Sequence, residues 1–196
     1  MGDAKAFGDK STNIFVAMGG NMPSEAGLPA ETLALALGAL GAEGARVLAV
    51  SDFYATPCFP AGAGPDYVNA AVRLSAQMDP DETLAMLHRV EAQFGRTRER
   101  RWGQRTLDLD LIAHGSHIVP DLASYQAWQR LPLEAQMAQT PDRLILPHPR
   151  LHERAFVLVP LADVAPEWCH PVLGQTVAQM LAALPAGDVD EVRRLP

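Results

Sequence analysis

The chain is poor in lysine and cysteine. Only two of its 16 basic residues are lysine, and both of them, Lys5 and Lys10, lie within the first ten residues. A phosphate-binding loop of the GxxxxGK[ST] type needs a lysine after a glycine-rich loop, so the sequence excludes that class of nucleotide-binding protein. Cys58 and Cys169 form no CxxC pair, which excludes a disulfide framework and fits a reducing compartment.

Long apolar runs and excess positive charge are also absent. The longest apolar run, residues 33–40, is far shorter than the roughly 18 residues that a membrane span requires. Residues 1–12 are polar and lack the apolar region of a secretory signal. We therefore expect a cytoplasmic protein that contacts no membrane. The net charge of −7 argues against a general nucleic-acid binder, because such proteins usually present a basic surface.

Positive charge is nevertheless concentrated in one segment. Residues 96–105 contain a single acid, Glu99, and five arginines, which are Arg96, Arg98, Arg100, Arg101 and Arg105. Since most basic residues of the chain are arginine, composition alone could produce such a segment. Guanidinium groups pair with phosphate oxygens in a bidentate geometry, so the segment is also well suited to hold a polyphosphate.

Two aspartates follow the arginines directly. In TLDLDLIAH (106–114) Leu107, Leu109 and Leu111 alternate with polar residues, which predicts a strand whose leucines face a core. Asp108 and Asp110 then point to the other side, about 7 Å apart along the strand. Two carboxylates can hold one or two Mg²⁺ ions that take further ligands from phosphate and water. The alternative is the solvated polar face of an amphipathic strand.

The order of the elements predicts the fold class. We expect strands at 13–18, 46–56, 67–76 and 106–114, and helices at 29–40 and 80–94. The second helix has the strongest signals, because Asp79, Pro80 and Glu82 match a capping box and Gly95 follows its end. This order predicts an α+β, ferredoxin-like βαββαβ core, in which helices pack on one face of an antiparallel sheet and the other face is left for a site.

We expect a single domain over residues 13–185, flanked by a flexible tail at 1–12 and a C-terminal tail at 186–196. A C-terminal extension follows the core and contains a closing helix at 175–184. Residues 119–143 are too long for a tight connection. They are predicted to be an insertion that serves as a lid, a docking surface or a loose segment.

Histidines allow a second type of site. His114 and His117 are three residues apart, and His148 and His152 are four apart, so together they could bind zinc in a zinc-dependent hydrolase. The absence of nearby cysteines and of an HEXXH motif disfavours this reading. His148 also lies with Arg150 and Arg154 in a second positive cluster that could contact phosphate.

Aromatic residues could bind a planar ligand. Tyr67 begins a strand with Asn69 on the same face, and further rings flank loops or strand ends, namely Phe59, Trp102 and Phe156. A flat heterocycle could stack between such rings and be recognised by the amide, although each ring could equally pack in the core. A ferredoxin-like RNA-binding module is a further alternative, disfavoured by the net acidity and the lack of an RNP-like aromatic pattern.

Four stretches together resemble one enzyme family. They are FYATP (53–57), PDYVNAAV (65–72), EAQFGRTRERRWGQRTLDLDLIAHG (91–115) and LPHPRLHERAFVLVPLADVAP (146–166). The resemblance, which extends over about residues 13–185, is to the 6-hydroxymethyl-7,8-dihydropterin pyrophosphokinases. It implies an enzyme of folate biosynthesis that transfers a pyrophosphoryl group from ATP to the hydroxymethyl group of 6-hydroxymethyl-7,8-dihydropterin and releases AMP. We also expect the protein to be a monomer.

The resemblance also implies a role for each site residue. Asp108 and Asp110 would bind two Mg²⁺ ions together with ATP. The phosphates would be held by arginines and a histidine, namely Arg96, Arg98, Arg105, His148 and Arg154, of which Arg96 and Arg105 would be catalytic. Tyr67 and Phe156 would sandwich the pterin, and its edge would be read by Asn69 and the backbone around Thr56, Pro57 and Phe59. Trp102 would lie on an arginine loop that closes over the site. Glu91 would have a supporting role in the site.

Three departures from the family pattern matter. The loop after the first strand reads Gly19-Gly20-Asn21 and lacks a serine, Gln104 stands where a proline is usual, and the segment between Asp110 and His148 is longer than the norm. A family member that has lost its activity is therefore a third alternative.

Overall fold

The computed structural model describes residues 11–58, 64–95, 105–132, 134–135, 139 and 141–196. The strands in these ranges are β1 (Thr12–Gly20), β2 (Arg46–Val50), β3 (Tyr54–Thr56), β4 (Tyr67–Ala76), β5 (Asp108–His114) and β6 (Arg193–Arg194). The helices are α1 (Pro29–Ala42), α2 (Pro80–Gln93), α3 (Leu122–Gln129), α4 (Ala155–Val164), α5 (Val177–Ala182) and α6 (Ala186–Asp190), and a 3₁₀ turn spans Leu151–Glu153.

The strands form one antiparallel sheet in the order β5-β1-β4-β3-β6, and β2 pairs with β4 beside β3. The predicted α+β, ferredoxin-like fold is confirmed. One predicted strand, 46–56, is wrong as a single element, because it is divided into β2 and β3. At the break, the Ser51 hydroxyl accepts a hydrogen bond from the Ala71 amide at 2.9 Å and donates to the Asp52 carbonyl at 2.6 Å. The Ser51 amide still donates to the Ala71 carbonyl at 2.9 Å, but the Ser51 hydroxyl takes the place of the Ser51 carbonyl as acceptor for the Ala71 amide.

Helix α2 begins and ends where its capping residues predict. The Asp79 carboxylate accepts from the Glu82 amide at 2.8 Å, and the Glu82 carboxylate accepts from the Asp79 amide at 2.9 Å. This capping box satisfies backbone donors that the first helical turn leaves without partners. Gly95 follows the helix with a φ of 78°, a left-handed conformation that favours glycine. The end of α2 is therefore fixed by local sequence.

The main core lies between one face of the sheet and helices α1 and α2. Leu107, directly before β5, and Leu109 and Leu111 within it face inward as predicted. They pack in this core with buried residues of the neighbouring elements, including Met18, Leu33, Leu40, Leu74, Leu87 and Val90. The side chains at the alternate positions of β5 project to the opposite face of the sheet. We call this opposite face the site face.

Helix α4 covers part of the site face. Its Val157, Leu158 and Leu161 form a second core with Phe15, Ala71 and Ile112 of the sheet, among other buried residues. All residues of α4 except Asp163 are apolar, and a helix without a polar side requires burial on more than one side. The expectation that the whole site face is open is therefore corrected. The C-terminal extension occupies one half, and the half around Gly19 remains for a site.

The C-terminal residues and the insertion are both integrated into the fold. Residues 186–196, expected to be a tail, form α6 and β6, and the Leu195 amide donates to the Phe53 carbonyl at 2.8 Å. The insertion contains α3, which Asp121 caps through the Ser124 amide. The predicted closing helix is confirmed as α5, capped by Thr176. Across the described ranges, no helix combines the length and apolarity that crossing a bilayer demands.

Candidate active site

The register of the sheet brings the polar residues of three strands into one row. Gly19 of β1 lies opposite Asn69 on β4 and opposite Asp108 on β5, and Ala17 lies opposite Asp110. Residues that face each other across paired strands project to the same side of a sheet. Asn69, Asp108 and Asp110 therefore share the open half of the site face, as predicted for the two aspartates.

Gly19 lies at the centre of this row and has no side chain, so the surface forms a depression there. A Cβ atom at Gly19 would lie 3.1 Å from the Asn69 Oδ1 atom, which is tighter than an ordinary van der Waals contact. Any larger residue would displace the Asn69 side chain or fill the space between the amide and the carboxylate of Asp108. The row is therefore a shallow groove with an amide on one side and two carboxylates on the other.

Two guanidinium groups stand beside the carboxylates. The Arg105 guanidinium forms an ion pair with the Asp108 carboxylate. Burial, and secondarily the charge of Arg150, lower the pKa of Arg154, while the nearby charges of Asp110 and Asp108 oppose that shift. The groove thus places acidic and basic groups side by side, which suits a ligand that brings both anionic phosphates and cations.

His148 adds a neutral hydrogen-bond donor to this side. Its Nδ1 atom accepts from the Arg150 amide at 3.1 Å, so the proton of the neutral ring is on Nε2. Burial, together with the charges of Arg154 and Arg150, lowers the pKa of His148 to about 3. The ring is therefore neutral near pH 7. The His148 amide donates to the Ile112 carbonyl at 2.8 Å, which holds this segment beside β5.

The other side of the groove contains the predicted pterin-binding residues. Tyr67 begins β4 opposite Thr56, and the Asn69 amide donates from Nδ2 to the Thr56 hydroxyl at 2.7 Å. Burial raises the pKa of Tyr67, and the positive charge of Arg105 opposes that shift. Pro57 follows β3 and is exposed. These residues are adjacent to the carboxylate row.

Phe156 lies in the first turn of α4. Its side chain is 39% exposed, although most of the other α4 residues are buried. The Arg154 guanidinium carbon lies 5.6 Å from the centre of the ring, which is within the range of a cation–π contact. An exposed phenylalanine beside a site arginine is available to a flat ligand.

Glu91 supports the carboxylate row more directly than the sequence suggested. The Leu109 amide, between the two aspartates, donates to the Glu91 Oε1 atom at 2.7 Å, and the Glu91 side chain is 1% exposed. Strand β5 is at the edge of the sheet, so a side chain has to satisfy this outward amide. A glutamate within the buried stripe of α2 was the signal for this role.

Asn21 was missed as a site residue. It is 3% exposed, and its side chain and backbone contact both Arg105 and the segment before Tyr67. The available signal was an asparagine directly after a Gly-Gly pair at a strand end. Four predicted site residues, which are Phe59, Arg96, Arg98 and Trp102, lie outside the described residues.

The histidine pairs do not assemble a zinc site in the described part of the chain. The His114 and His117 Nδ1 atoms lie 3.2 Å apart, and His114 Nε2 lies 2.9 Å from the Met78 carbonyl, so these rings satisfy each other and the backbone. Within the described ranges, no three His, Cys, Asp or Glu side chains form a group that could hold a metal ion. This finding disfavours the zinc-hydrolase alternative.

The aspartate pair suits Mg²⁺ rather than zinc. Asp108 and Asp110 supply hard oxygen donors, are partly exposed, and project from one strand face. Mg²⁺ usually takes one or two protein carboxylates and completes its coordination with water and substrate phosphates. The donor set therefore fits an ion that arrives with a nucleotide.

A family model described as 7,8-dihydro-6-hydroxymethylpterin-pyrophosphokinase (HPPK) matches residues 15–166. Curated relatives carry the name 2-amino-4-hydroxy-6-hydroxymethyldihydropteridine pyrophosphokinase. The Synechocystis relative is 41% identical over 117 residues, which cover 60% of this chain and 50% of the relative. The Methylorubrum extorquens relative is 35% identical over 92% of this chain and 99% of its own length. The Pseudomonas aeruginosa relative is 33% identical over 93% and 96%.

Solved structures show the same fold at lower identity. Wild-type HPPK-DHPS from Plasmodium falciparum superposes with a TM-score of 0.60 and 14% identity, and the match covers 90% of this chain and 45% of that chain. The same protein with SDX-DHP gives a TM-score of 0.59 and 13% identity, with 87% and 43% covered. This chain therefore spans less than half of those proteins, and the likeness concerns the fold.

Proposed function

The chain belongs to the 7,8-dihydro-6-hydroxymethylpterin-pyrophosphokinase family, and from this membership we propose its reaction and the residues that perform it. It is an ATP-dependent diphosphotransferase that transfers a pyrophosphoryl group from ATP to the hydroxymethyl group of 6-hydroxymethyl-7,8-dihydropterin in folate biosynthesis. The observation that carries this assignment is the row of Asn69, Gly19 and Asp108 across β4, β1 and β5. It sets a heterocycle-reading amide beside carboxylates on one open surface.

The carboxylates are proposed to hold two Mg²⁺ ions that accompany ATP. Asp108 and Asp110 would each contribute oxygen ligands, and Glu91 would fix the backbone between them through the Leu109 amide. When bound, the ions would neutralise phosphate charge and polarise the bond that breaks. Arg105 forms an ion pair with Asp108, and we expect its guanidinium to turn to phosphate oxygens when ATP binds.

The polyphosphate is proposed to lie between two positive groups. Arg105 would contact it from one side, and His148 and Arg154 from the other, with Arg96 and Arg98 adding contacts. Because His148 is neutral and protonated at Nε2, it would donate a hydrogen bond rather than carry charge. Arginine and histidine donors in a partly buried groove orient the phosphates and stabilise the charge that develops during transfer.

The pterin is proposed to bind between Tyr67 and Phe156. Its amide-like edge would be read by Asn69 and by the backbone of Thr56 and Pro57, and Phe59 and Trp102 would complete the pocket. The hydrogen bond from Asn69 Nδ2 to the Thr56 hydroxyl fixes the orientation of the amide, and its oxygen lies beside Gly19. Fixing the amide before binding lowers the entropy cost of recognition.

The reaction is an in-line displacement at the β-phosphorus of ATP. The pterin hydroxyl oxygen forms a bond to this phosphorus, the bond to the oxygen bridging the α- and β-phosphorus atoms breaks, and AMP leaves. The hydroxyl proton passes to solvent. Since the chemistry asks little covalent assistance, the residues described above act by aligning the two substrates and by neutralising charge.

The assignment is tested by mixing the purified protein with ATP, Mg²⁺ and 6-hydroxymethyl-7,8-dihydropterin. We expect AMP and a pterin diphosphate in equal amounts, with ³¹P NMR showing a new diphosphate ester. Omitting the pterin should leave ATP intact, and chelating the metal should stop product formation. Formation of ADP, or ATP loss without pterin, would contradict the proposal and favour a different phosphate-transfer or hydrolytic activity. Binding of RNA with no AMP formed would favour the RNA-binding alternative.

We further propose a monomer with one catalytic domain, in which 119–143 are an insertion and residues 186–196 belong to the domain because β6 pairs with β3. A cytoplasmic location is proposed as well, and the free thiols of Cys58 and Cys169 are consistent with a reducing compartment. Analytical ultracentrifugation at micromolar concentration tests the first point. A stable dimer would contradict it.

A further inference from the structure

Asn21 joins three segments of the open half of the site face. It follows β1 and the Gly19-Gly20 pair, and its side chain is buried. Its Oδ1 atom accepts from the Arg105 amide at 3.0 Å, and its Nδ2 atom donates to the Pro65 carbonyl at 3.2 Å. The partners fix the orientation of the amide, because one is a donor and the other an acceptor. We call this set of contacts the Asn21 junction.

Both the backbone amide and the backbone carbonyl of Arg105 take part in the contact with Asn21. Besides donating to Asn21 Oδ1, Arg105 accepts at its carbonyl from the Asn21 amide at 3.0 Å and from the Met22 amide at 3.1 Å. A Cβ atom at Gly20 would lie 2.6 Å from the Thr106 carbonyl oxygen. The Thr106 backbone, next to Arg105, therefore lies directly against Gly20, and only glycine permits this approach at residue 20.

The contact with Pro65 reaches the opposite side of the groove. Pro65 precedes Tyr67, the first residue of β4, by two positions, and the Asn21 amide nitrogen lies close enough to Gly64 that a Cβ there would be 3.7 Å away. One buried side chain thus connects the backbone that carries the phosphate-side arginine with the backbone that carries the pterin-side tyrosine.

We infer that Asn21 is a positioning residue that sets the distance between the phosphate side and the pterin side of the groove, through the Arg105 amide and the Pro65 carbonyl. This inference rests on the proposed function for its kinetic consequence. The structural junction itself does not depend on which substrates bind. Transfer between two substrates requires their reacting atoms to be aligned within a fraction of an ångström, so a junction between the two sides affects the rate.

Two substitutions separate the two contacts. Asn21→Ala removes both side-chain contacts. Asn21→Asp keeps the size of the side chain and an acceptor for the Arg105 amide, but it loses the donor to the Pro65 carbonyl and places two oxygen atoms against each other. Asn13, exposed near the start of β1, provides the matched control as Asn13→Ala.

Hydrogen exchange read by mass spectrometry gives the first measurement. In Asn21→Ala we expect faster exchange in peptides covering residues 64–68 and 105–108. In Asn21→Asp we expect it in 64–68 while 105–108 stays protected, and Asn13→Ala should match the wild type. Unchanged exchange in both segments of Asn21→Ala, or equal loss in both segments of Asn21→Asp, would overturn the inference.

Steady-state kinetics gives the second measurement. Asn21→Ala should lower kcat about tenfold, the size expected for a lost buried hydrogen bond, because the bound substrates are no longer aligned, and Asn21→Asp should raise KM for the pterin more than for ATP. A purely structural role predicts instead that kcat and both KM values change together with the thermal midpoint in both variants, and that result would overturn the inference. If the wild type forms no AMP, the proposed function fails, and the exchange experiment still decides whether the junction exists.

Discussion

The two halves of the site face are built from the same strands but do different work. In the half under α4, Phe15, Ala71 and Ile112 are buried against an apolar helix. In the open half, the same strands place Gly19, Asn69 and Asp108 in a row beside charged groups. Residues two positions apart on one strand, Asp110 and Ile112, therefore belong to a groove and to a core.

The comparison shows that the role of a strand residue, in the core or in the groove, depends on whether helix α4 covers it and not on which strand carries it. Alternation along a strand fixes the face to which a side chain projects, but it leaves open whether that face meets water, a ligand or another helix. Side chains of the covered half contribute mainly to the free energy of unfolding. Side chains of the open half are not constrained by core packing, so they can serve binding at some cost in stability. Substitutions in the two halves should separate these effects.

The largest effect is expected from the aspartates of the open half. Asp108→Ala or Asp110→Ala should lower kcat/KM by about a thousandfold or more, because each change removes a proposed ligand of the metal that accompanies ATP. The free energy of unfolding should change by less than about 1 kcal/mol, since neither side chain packs in a core. Chemical denaturation and AMP formation measure the two quantities, and Asp188→Ala, on the exposed side of α6, is the control. A large stability loss would show that these aspartates are structural.

The reverse behaviour is expected in the covered half. Ile112 is 2% exposed, and Ile112→Ala should lower the free energy of unfolding by about 2–5 kcal/mol through lost burial and an unfilled cavity. Activity per folded molecule should stay close to that of the wild type at a temperature well below the unfolding midpoint. A variant that is stable but inactive would mean that the boundary between the two halves lies closer to α4 than described.

A substitution of Arg105 tests the open half by removing a positive charge rather than a proposed metal ligand. Arg105→Ala should lower kcat/KM for ATP by about a hundredfold, the range reported for removing one charge-stabilising group from an active site. Arg89→Ala, which removes an exposed ion pair with Glu43, should leave both kinetics and stability nearly unchanged. Unchanged kinetics for Arg105→Ala would remove this residue from the phosphate site.

The smallest effect concerns pH and a buried histidine away from the groove. Burial, and secondarily His152, lower the pKa of His170 to about 4. Because the folded-state pKa is below the unfolded value of about 6.5, the unfolded chain binds a proton first as the pH falls. The stabilising effect of a neutral His170 is complete above pH 6.5 and is lost as the pH falls toward 4, by up to about 1.4 kcal/mol per pH unit.

His170→Asn isolates this contribution. The asparagine oxygen can still accept from the Val172 and Leu173 amides, which lie 3.2 Å from the His170 Nδ1 atom, but it does not titrate. We expect the variant to be less stable at pH 7 and to lose less free energy between pH 7 and pH 5 than the wild type. Equal losses, measured by urea denaturation at the two values, would contradict the lowered pKa.

Local signals explain most of what the sequence predicted about the fold. The capping residues of α2 and the leucine alternation of β5 act within a few positions, so α2, β5 and the shared face of the two aspartates were predictable. The break at Ser51 was not, because a side-chain contact with Ala71 produces it, 20 positions along the chain. The cover by α4 was also beyond reach, since an apolar helix does not reveal which surface it will bury.

For the site, residue types and the family resemblance predicted which side chains lie around the groove. They did not predict the hydrogen bonds that hold the backbone of the groove in place. The placement of Asp108, Asp110, Asn69 and Tyr67 around one groove agrees with the prediction. The roles of Glu91 and Asn21 as holders of backbone amides depend on long-range register, which spacing along the chain does not encode. The binding roles of the individual side chains stay predictions until the kinetics are measured.

The base of the insertion has a practical consequence for protein engineering. Val119 and Leu146 exchange two backbone hydrogen bonds of 3.0 Å, so a short turn could replace the 26 or so residues between them without disturbing the flanking chain. Yet Tyr125 within that stretch is fully buried, with its hydroxyl 3.1 Å from His170 Nε2. A shortened protein would keep the backbone pairing of Val119 and Leu146 but would have a cavity in place of Tyr125, unless another aromatic side chain filled that cavity.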